Sequence, residues 1–309
     1  MSKIHEALKK AQQERESNFP EGIRTGVPAA GAPDAIHSEL VSTLVAAGSP
    51  ISRRGSVQTQ ADFLRFDDLL KDCAKPAWRI DPGVMVFSDA NGPNAGSEQF
   101  RTLRSRLYHL RESRPMRSLL VTSALAGEGK TFVASNLAQA IARQRGRRVL
   151  LIDGDLRCSK LHLPLGAPPA PGLSDYLRGE ASLTQVVQHG RHEDLCFIPG
   201  GNPVSDPAEL ILNGRLRDLV ENLSATFDWI IVDSPPSLLV SDASALADLC
   251  DGVLLVVRAT STSFDAAQRA SNEFRERNLL GVALNCVEGQ NTRYALYYSY
   301  GLDQGGNGK

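Results

Sequence analysis

The chain has 309 residues, with 34 lysines and arginines against 35 aspartates and glutamates. That length allows one large domain or two modest ones, and the near-neutral charge disfavours a nucleic-acid-binding protein, which needs an excess of basic residues. The five cysteines are widely spaced and form no C-x-x-C pair, which argues against a disulfide framework or a four-cysteine metal site.

The beginning of the chain predicts one short helix. Residues 3–15 have apolar side chains at helical spacing between charged faces. Two interpretations remain open: a surface helix that docks on its own domain, or a recognition helix for a membrane-bound partner. The segment lacks the continuous apolar stretch of a secretory signal, and no apolar run reaches the roughly 20 residues of a membrane-spanning helix. We therefore expect a cytoplasmic protein.

A linker is predicted next. Residues 17–60 are rich in proline, glycine, alanine and serine and hold few large apolar residues that could form a core. Residues 61–73 return to helical spacing, but a stretch rich in proline and glycine follows. The globular domain is predicted to begin near Asp81.

Beyond this point apolar runs alternate with helical patterns. The predicted helices span residues 130–145, 208–223 and 263–277, and the predicted strands are SLLVTS from 118, RVLLID from 148, LCFIP from 195, DWIIVD from 228, GVLLVVR from 252 and GVALN from 281. Such alternation predicts an α/β fold, a doubly wound parallel sheet with helices on both faces. The continuous runs of Val, Ile and Leu are typical of strands that are buried on both faces.

The segment after the first predicted strand is the pattern of a phosphate-binding P-loop. It reads ALAGEGKT over residues 124–131, with alanine in the first glycine slot, and a helix is predicted to follow. Glycines let successive backbone N–H groups converge on an anion, and the helix N-terminus adds its positive dipole end. We expect Lys130 to reach the β- and γ-phosphates and Thr131 to bind Mg²⁺. The predicted nucleotide-binding residues are Ala126, Gly127, Glu128, Gly129, Lys130, Thr131 and Phe132.

Three aspartates lie at the carboxyl ends of predicted strands. Asp153 and Asp155 follow one strand, and Asp233 ends another just before two prolines. Open α/β sheets bind ligands at this edge, so the acids should lie beside the P-loop. A lone aspartate here is more often a cap or turn residue. Three carboxylates buried together need a cation, which predicts ATP with Mg²⁺ as the cofactors.

Together these motifs resemble the cytoplasmic domains of bacterial tyrosine kinases, a family of P-loop enzymes of capsule and exopolysaccharide synthesis. The resemblance covers about residues 80–300 and rests on ALAGEGKT (Walker A), LLIDGDLR (a second Walker motif), IIVDSPP (Walker B), GLSDYLRGE and IPGGNPVSDPAEL. It implies an ATP- and Mg²⁺-dependent protein-tyrosine autokinase that regulates polymerisation and export together with a membrane co-polymerase.

The resemblance also implies roles for single residues. Lys130 holds the phosphates, while Thr131, Asp155 and Asp233 position Mg²⁺. Asp153 is the candidate base toward a tyrosine hydroxyl, and Asp153 and Asp155 could exchange these roles.

The acceptor is suggested by the end of the chain. Four of the six tyrosines lie close together there: Tyr294, Tyr297, Tyr298 and Tyr300. They resemble the family's autophosphorylated cluster, although an aromatic edge strand packed on the core is the alternative. Glycines follow, which favours a mobile tail. The predicted division is thus a helix and linker region (1–80), a P-loop kinase domain (81–288) and a tyrosine-rich tail (289–309).

One charged motif suggests self-association. Glu98, Arg101 and Arg104 are spaced to lie near one helix face. Without the resemblance this would be a solvated charged face, but in the family the motif joins subunits into a ring. The resemblance therefore implies a ring-like homo-oligomer in which one tail enters a neighbour's site. A separate membrane activator is also implied, so membrane association would occur only through that partner, at the inner face of the cell membrane.

Two other functions compete with this interpretation. Positioning ATPases of the MinD/ParA type share the order of motifs, but they need a lysine where this chain has Leu125, and they have no use for a tyrosine tail. The other rival is a nucleotide-bound scaffold with little kinase activity. Departures from the family pattern are Ala126 where relatives often have proline, SDP at 205–207 in place of PNP, and the interrupted tyrosine run.

Overall fold

The computed structural model describes residues 65–87, 94–190 and 194–287. Within these ranges the chain forms seven strands: β1 (Ser118–Ser123), β2 (Val149–Asp153), β3 (Gln188–His189), β4 (Leu195–Ile198), β5 (Trp229–Asp233), β6 (Gly252–Arg258) and β7 (Leu279–Asn285). The helices of the same ranges are α1 (Phe66–Asp72), α2 (Ala95–Ser113), α3 (Lys130–Ala142), α4 (His162–Leu165), α5 (Leu173–Arg178), α6 (Leu183–Val186), α7 (Pro207–Leu212), α8 (Arg215–Ser224), α9 (Asp242–Ala247) and α10 (Phe264–Phe274).

The strands form one sheet in the order β3-β4-β2-β5-β1-β6-β7. Every pair is parallel except β3 with β4, which is antiparallel. The predicted fold class, a doubly wound and mostly parallel α/β sheet, is therefore confirmed. Because the crossovers place helices on both faces, the central strands β1, β2 and β5 are buried along their whole length.

Alternate residues of each central strand pack into two different hydrophobic layers. Leu120 of β1 packs in the layer that contains Leu219 of α8. Its neighbour Leu119 packs in the opposite layer, with Leu107 of α2 and Leu137 of α3. The second layer includes a helix buried from Val133 to its end, since most α3 side chains are small or apolar. This packing fixes α3, and with it the P-loop at its N-terminus, against the middle of the sheet.

The packed core begins before the predicted boundary near Asp81. Phe66 and Leu69 of α1 are buried in the first hydrophobic layer. The Phe66 ring meets Phe227 edge-to-face, with centroids 5.5 Å apart. The short helix therefore belongs to the folded domain, and the apolar residues that made it visible in the sequence are the ones that it buries.

The prediction of one continuous helix over residues 208–223 is wrong. The structure has α7 and α8 there, separated at Asn213 and Gly214. Gly214 has φ of +85°, in the left-handed region that glycine enters without strain, so it ends one helix and allows the next to start in a new direction. The helices that begin at 130 and 264 end at Ala142 and Phe274, about three residues before the predicted ends.

No helix among the described residues is long and apolar enough to cross a membrane. The predicted N-terminal helix, the linker of residues 17–60 and the tyrosine tail lie outside the described residues, so these divisions of the chain stay predictions.

Candidate active site

The P-loop connects the carboxyl end of β1 to the N-terminus of α3. Gly127 and Gly129 have φ of +81° and +94°, left-handed conformations that a side chain would strain. Glu128 lies between them with its side chain turned inward and buried. Its carboxylate accepts the backbone N–H of Leu125 at 2.7 Å and bonds to the hydroxyl of Thr262. Glu128 therefore holds the start of the P-loop, at Leu125, and links the loop to Thr262.

A cavity of about 470 Å³ lies over the P-loop. Another cavity, of about 490 Å³, lies away from the P-loop, near Phe66 and Arg148. The cavity over the P-loop is lined by Ala126, Gly127, Gly129, Lys130, Thr131, Asp155, Arg157, Cys158, Lys160, Pro235, Pro236, Leu239 and Val240. Of the predicted nucleotide-binding residues, only Glu128 and Phe132 are not among them. Phe132 packs instead against the ring of Phe100, at 5.6 Å between centroids. The loop thus meets an open, ligand-sized space.

Two side chains at the start of α3 reach the predicted acids. The Thr131 hydroxyl donates to Asp233 Oδ2 at 2.6 Å, and Lys130 Nζ donates to Asp155 Oδ2 at 3.2 Å. Asp153 and Asp233 are paired across the neighbouring strands β2 and β5. The structure therefore brings Lys130, Thr131 and all three aspartates together at one edge of the sheet.

Asp233 carries an unsatisfied oxygen. Its Oδ1 is buried and has no hydrogen-bond partner among the described residues. A buried carboxylate oxygen without a partner is costly, and it is a ligand that Mg²⁺ prefers. The Thr131 hydroxyl bonds to the other oxygen of Asp233, and Thr131 and Asp155 line the same cavity, so the available ligands are hard oxygens. These residues fit a magnesium ion.

Asp153 and Asp155 occupy different environments. Asp153 Oδ2 accepts the Ser159 hydroxyl at 2.7 Å and the Leu161 N–H at 3.1 Å, while Oδ1 accepts the Asp155 N–H at 3.2 Å. Asp155 Oδ1 accepts the Cys158 N–H at 3.0 Å, and its other oxygen faces Lys130. In this state Asp155 lies at the cavity, and Asp153 fastens the turn that follows β2.

Burial sets the electrostatics of the site. It raises the pKa of Asp233, an effect that the Lys130 charge only partly opposes. It raises the pKa of Asp153 as well, against the hydrogen bonds from Ser159 and Leu161. Burial alone would lower the pKa of Lys130, but the carboxylates of Asp233 and Asp155 outweigh it and raise that pKa. Lys130 stays charged, but the raised pKa values of Asp153 and Asp233 indicate that its ammonium does not fully compensate the buried acids.

The side chains of the predicted oligomer motif on α2 make different contacts. Arg101 pairs with Glu98 one turn before it on α2. Arg104 Nη1 instead donates to the backbone carbonyl of Ala140 on α3, at 2.5 Å. The predicted acceptors Tyr294, Tyr297, Tyr298 and Tyr300 lie outside the described residues.

Several residues that shape the site were not singled out from the sequence. Arg157 makes two bonds to buried Asp242, at 2.6 and 3.0 Å, and so holds one wall of the cavity. Ser159, Thr262 and Asn285 contact Asp153 or the P-loop from elsewhere in the chain. Their only sequence signal was proximity to a strand end, which many polar residues share.

A parallel sheet with a P-loop, a buried helix behind it and acids on two adjoining strand ends defines a P-loop nucleotide-binding protein. Comparison with known proteins narrows this class. Residues 116–277 match a family described as an AAA domain. The chain is 34% identical to tyrosine-protein kinase YwqD of Bacillus subtilis over 209 residues, covering 67% of this chain and 87% of that protein. It belongs to the family of bacterial tyrosine-protein kinases, which confirms the predicted resemblance and the predicted enzyme class.

Two further comparisons agree. A relative from Klebsiella pneumoniae whose name places it in the cps region is 32% identical over 208 residues, covering 67% of this chain and 28% of that much longer protein. The solved kinase domain of Escherichia coli tyrosine kinase ETK is 34% identical with a TM-score of 0.59, covering 62% of this chain and 75% of that domain.

Proposed function

We propose that this chain is an ATP- and Mg²⁺-dependent tyrosine autokinase that phosphorylates Tyr294, Tyr297, Tyr298 and Tyr300 of a neighbouring copy. The single observation that carries the proposal is the buried Oδ1 of Asp233, which has no hydrogen-bond partner in the described part of the chain, while its other oxygen bonds to Thr131 of the P-loop. An oxygen in that position gains a partner when a cation enters with the nucleotide. The family membership supplies tyrosine as the acceptor.

The residues of the site can perform phosphoryl transfer. Lys130 gives up its contact with Asp155 and moves its ammonium to the phosphates. Thr131, Asp155 and Asp233 would hold Mg²⁺, which would supply positive charge beside the phosphate oxygens. The tyrosine oxygen then forms a bond to the γ-phosphorus while the bond from that phosphorus to the ADP oxygen breaks. The phenolic proton passes to a carboxylate of the site.

Two observations favour Asp153 as the proton acceptor and Asp155 as the metal-side residue. Asp155 is paired with Lys130, the residue expected to reach the phosphates, which supports a role for Asp155 on the metal side. Burial raises the pKa of Asp153 to about 6, which suits a base that works near neutral pH. Ser159 occupies Asp153 Oδ2 in this state, so its hydroxyl has to turn away before a substrate proton can be accepted.

The proposal extends to partners. We propose a ring-like homo-oligomer, contacted through Glu98, Arg101 and Arg104, that works with a membrane polysaccharide co-polymerase at the inner face of the cell membrane. Membrane association would come through that partner. The cps-region name of the Klebsiella relative supports a role in polysaccharide synthesis.

Mass spectrometry of the C-terminal peptide after incubation with Mg²⁺-ATP tests the kinase. The wild-type chain is expected to gain phosphate on the tyrosine tail, and Lys130→Ala to lose at least about 100-fold of that rate, because a group that stabilises transition-state charge is removed. Lys71→Ala is the control, since Lys71 is an exposed lysine of α1 that pairs with the neighbouring Asp68. Equal labelling of the wild type and Lys130→Ala would contradict the proposal.

Transfer between copies is tested in the same assay. An isotope-labelled Lys130→Ala chain is mixed with the unlabelled wild type, and the heavy tail peptide is examined for phosphate. Phosphorylation of the heavy tail supports transfer from a neighbouring copy. Phosphate confined to the light tail would show transfer within one copy and refute that part of the proposal.

A further inference from the structure

Asn285, the last residue of β7, lies against the P-loop. Its Nδ2 donates to the backbone carbonyl of Glu128 at 2.9 Å, and its Oδ1 accepts the N–H of Cys286 at 2.9 Å. Two contacts of opposite sense fix the orientation of the amide, because only nitrogen can donate and only oxygen can accept. The packing is close, since a Cβ added at Gly129 would lie 2.0 Å from Nδ2.

The contact acts on a particular peptide unit. The carbonyl of Glu128 and the N–H of Gly129 belong to one planar trans peptide, so they point in opposite directions. When Asn285 holds the carbonyl on its own side, the Gly129 N–H is turned to the other side. Gly129 lines the cavity over the loop. Backbone N–H groups of a P-loop are the donors that cradle phosphate oxygens.

Other contacts from the same side of the sheet hold the neighbouring peptide units. Arg258, at the end of β6, donates to the carbonyl of Gly127 at 3.4 Å. The Thr262 hydroxyl bonds to the Glu128 carboxylate. The loop is thus fastened from the β6 and β7 side, while Lys130 and Thr131 face the acids on β2 and β5. Glycines leave the loop many alternative conformations, so these contacts select one of them.

We propose that Asn285 is a positioning residue, which holds the Glu128–Gly129 peptide so that the Gly129 N–H is aimed at a phosphate of the bound nucleotide. This inference rests on the proposed nucleotide-dependent function. Asn285 acts through the loop backbone and does not touch the reacting atoms. Its loss should weaken binding of the triphosphate group and leave recognition of the base unchanged.

The test replaces Asn285 by aspartate, which has nearly the same shape but presents an oxygen to the Glu128 carbonyl and cannot donate when ionised. We expect Asn285→Asp to bind Mg²⁺-ATP and Mg²⁺-tripolyphosphate about tenfold more weakly than the wild type, as measured by calorimetry, because one well-aimed hydrogen bond to a charged group is lost. The ratio of ATP to GTP affinity should not change. Asn272→Asp, on the exposed face of α10, makes the same change of charge away from the loop and serves as the control.

The outcomes are separable. Unchanged tripolyphosphate affinity in Asn285→Asp would overturn the inference, and so would a changed ratio of ATP to GTP affinity, since that result would assign Asn285 to the base. If the aspartate variant does not fold, Asn285→Ala gives the same measurement without the added charge. A wild-type chain that binds no nucleotide would refute the proposed function itself. Wild-type binding that is lost in Lys130→Ala but kept in Asn285→Asp would refute only the role of Asn285.

Discussion

Replacing Asp175 by asparagine should destabilise the domain by about 3 kcal/mol. Asp175 lies in α5, is buried, and accepts four hydrogen bonds. Oδ2 accepts the N–H groups of Gly172 and Asn202 at 2.7 and 3.3 Å, and Oδ1 accepts the Asn202 amide and the Arg178 guanidinium, each at 2.8 Å. Asparagine has one acceptor oxygen, so two donors lose their partner whichever way the amide turns. At about 1.5 kcal/mol for each bond to a charged group, the loss is about 3 kcal/mol.

The measurement is urea unfolding of the full chain at pH 7, followed by circular dichroism. Asp265→Asn is the matched control: Asp265 is exposed in the first turn of α10, and its loss should cost less than about 0.5 kcal/mol. Equal unfolding midpoints for Asp175→Asn and the control would refute the reasoning.

The same substitution makes a prediction about pH. Burial acts to raise the pKa of Asp175, but the bonds from Gly172, Asn202 and Arg178 outweigh it and hold that pKa below its ordinary value of 3.8. A carboxyl whose pKa is lowered in the folded state stabilises the protein above the ordinary value, and that stabilisation is lost as the pH falls through the folded value. The difference between the wild type and Asp175→Asn should therefore shrink below about pH 4. A difference that stays constant to pH 3 would contradict this account.

Two further predictions concern the site and the assembly. Thr131→Val keeps the shape of the side chain but removes the hydroxyl that bonds to Asp233, so Mg²⁺ should no longer strengthen nucleotide binding. Calorimetry with and without Mg²⁺ measures this effect. An unchanged effect of Mg²⁺ would show that Thr131 is not part of the metal site. Exchanging the charges of Glu98 and Arg101 preserves their pair within α2 but reverses the charge that each position presents to a neighbouring subunit. Light scattering should therefore show a smaller oligomer. An unchanged mass would exclude this helix face from the ring contact.

Local sequence patterns were enough to predict most of the sheet. The strands β1, β2, β5 and β6 are continuous runs of Val, Leu and Ile, and burial on both faces leaves no other composition stable. The two-residue strand Gln188–His189 has no such signal, since it is held by pairing with β4 and by a bridge to Ala74, residues distant from it in the chain or outside any apolar run. Apolar residues keep their helical spacing on both sides of Gly214, so the break between α7 and α8 at that residue was not predicted.

The candidate site was predictable where its residues share a motif. Lys130, Thr131 and the three aspartates were found because a P-loop and strand ends place them by local geometry. The supporting contacts were not, since Thr262 and Asn285 lie 134 and 157 residues from their partner Glu128 along the chain. Pairs of that kind form only when the topology brings β6 beside β1 and β7 beside β6.

The loop of residues 199–202 shows how far such support extends. Asp175 ties Asn202 to α5, and the same loop packs Gly200 so close to Ser159 that a Cβ would lie 2.6 Å from its hydroxyl. Ser159 in turn donates to Asp153. The GLSD and IPGGN segments, which carried part of the resemblance, thus hold the turn beneath the predicted base.

The pairing of Asp153 with Asp233 across β2 and β5 has a consequence for the lifetime of the enzyme. A β-ladder holds neighbouring strands about 4.8 Å apart, so the two acids stay close, and the Asp153 charge adds to the burial that raises the pKa of Asp233. A ligand that carries a compensating cation removes that repulsion only from the native form, and at 100 times its dissociation constant it adds about 2.7 kcal/mol to stability. The ligand-free chain is then the form that unfolds most readily.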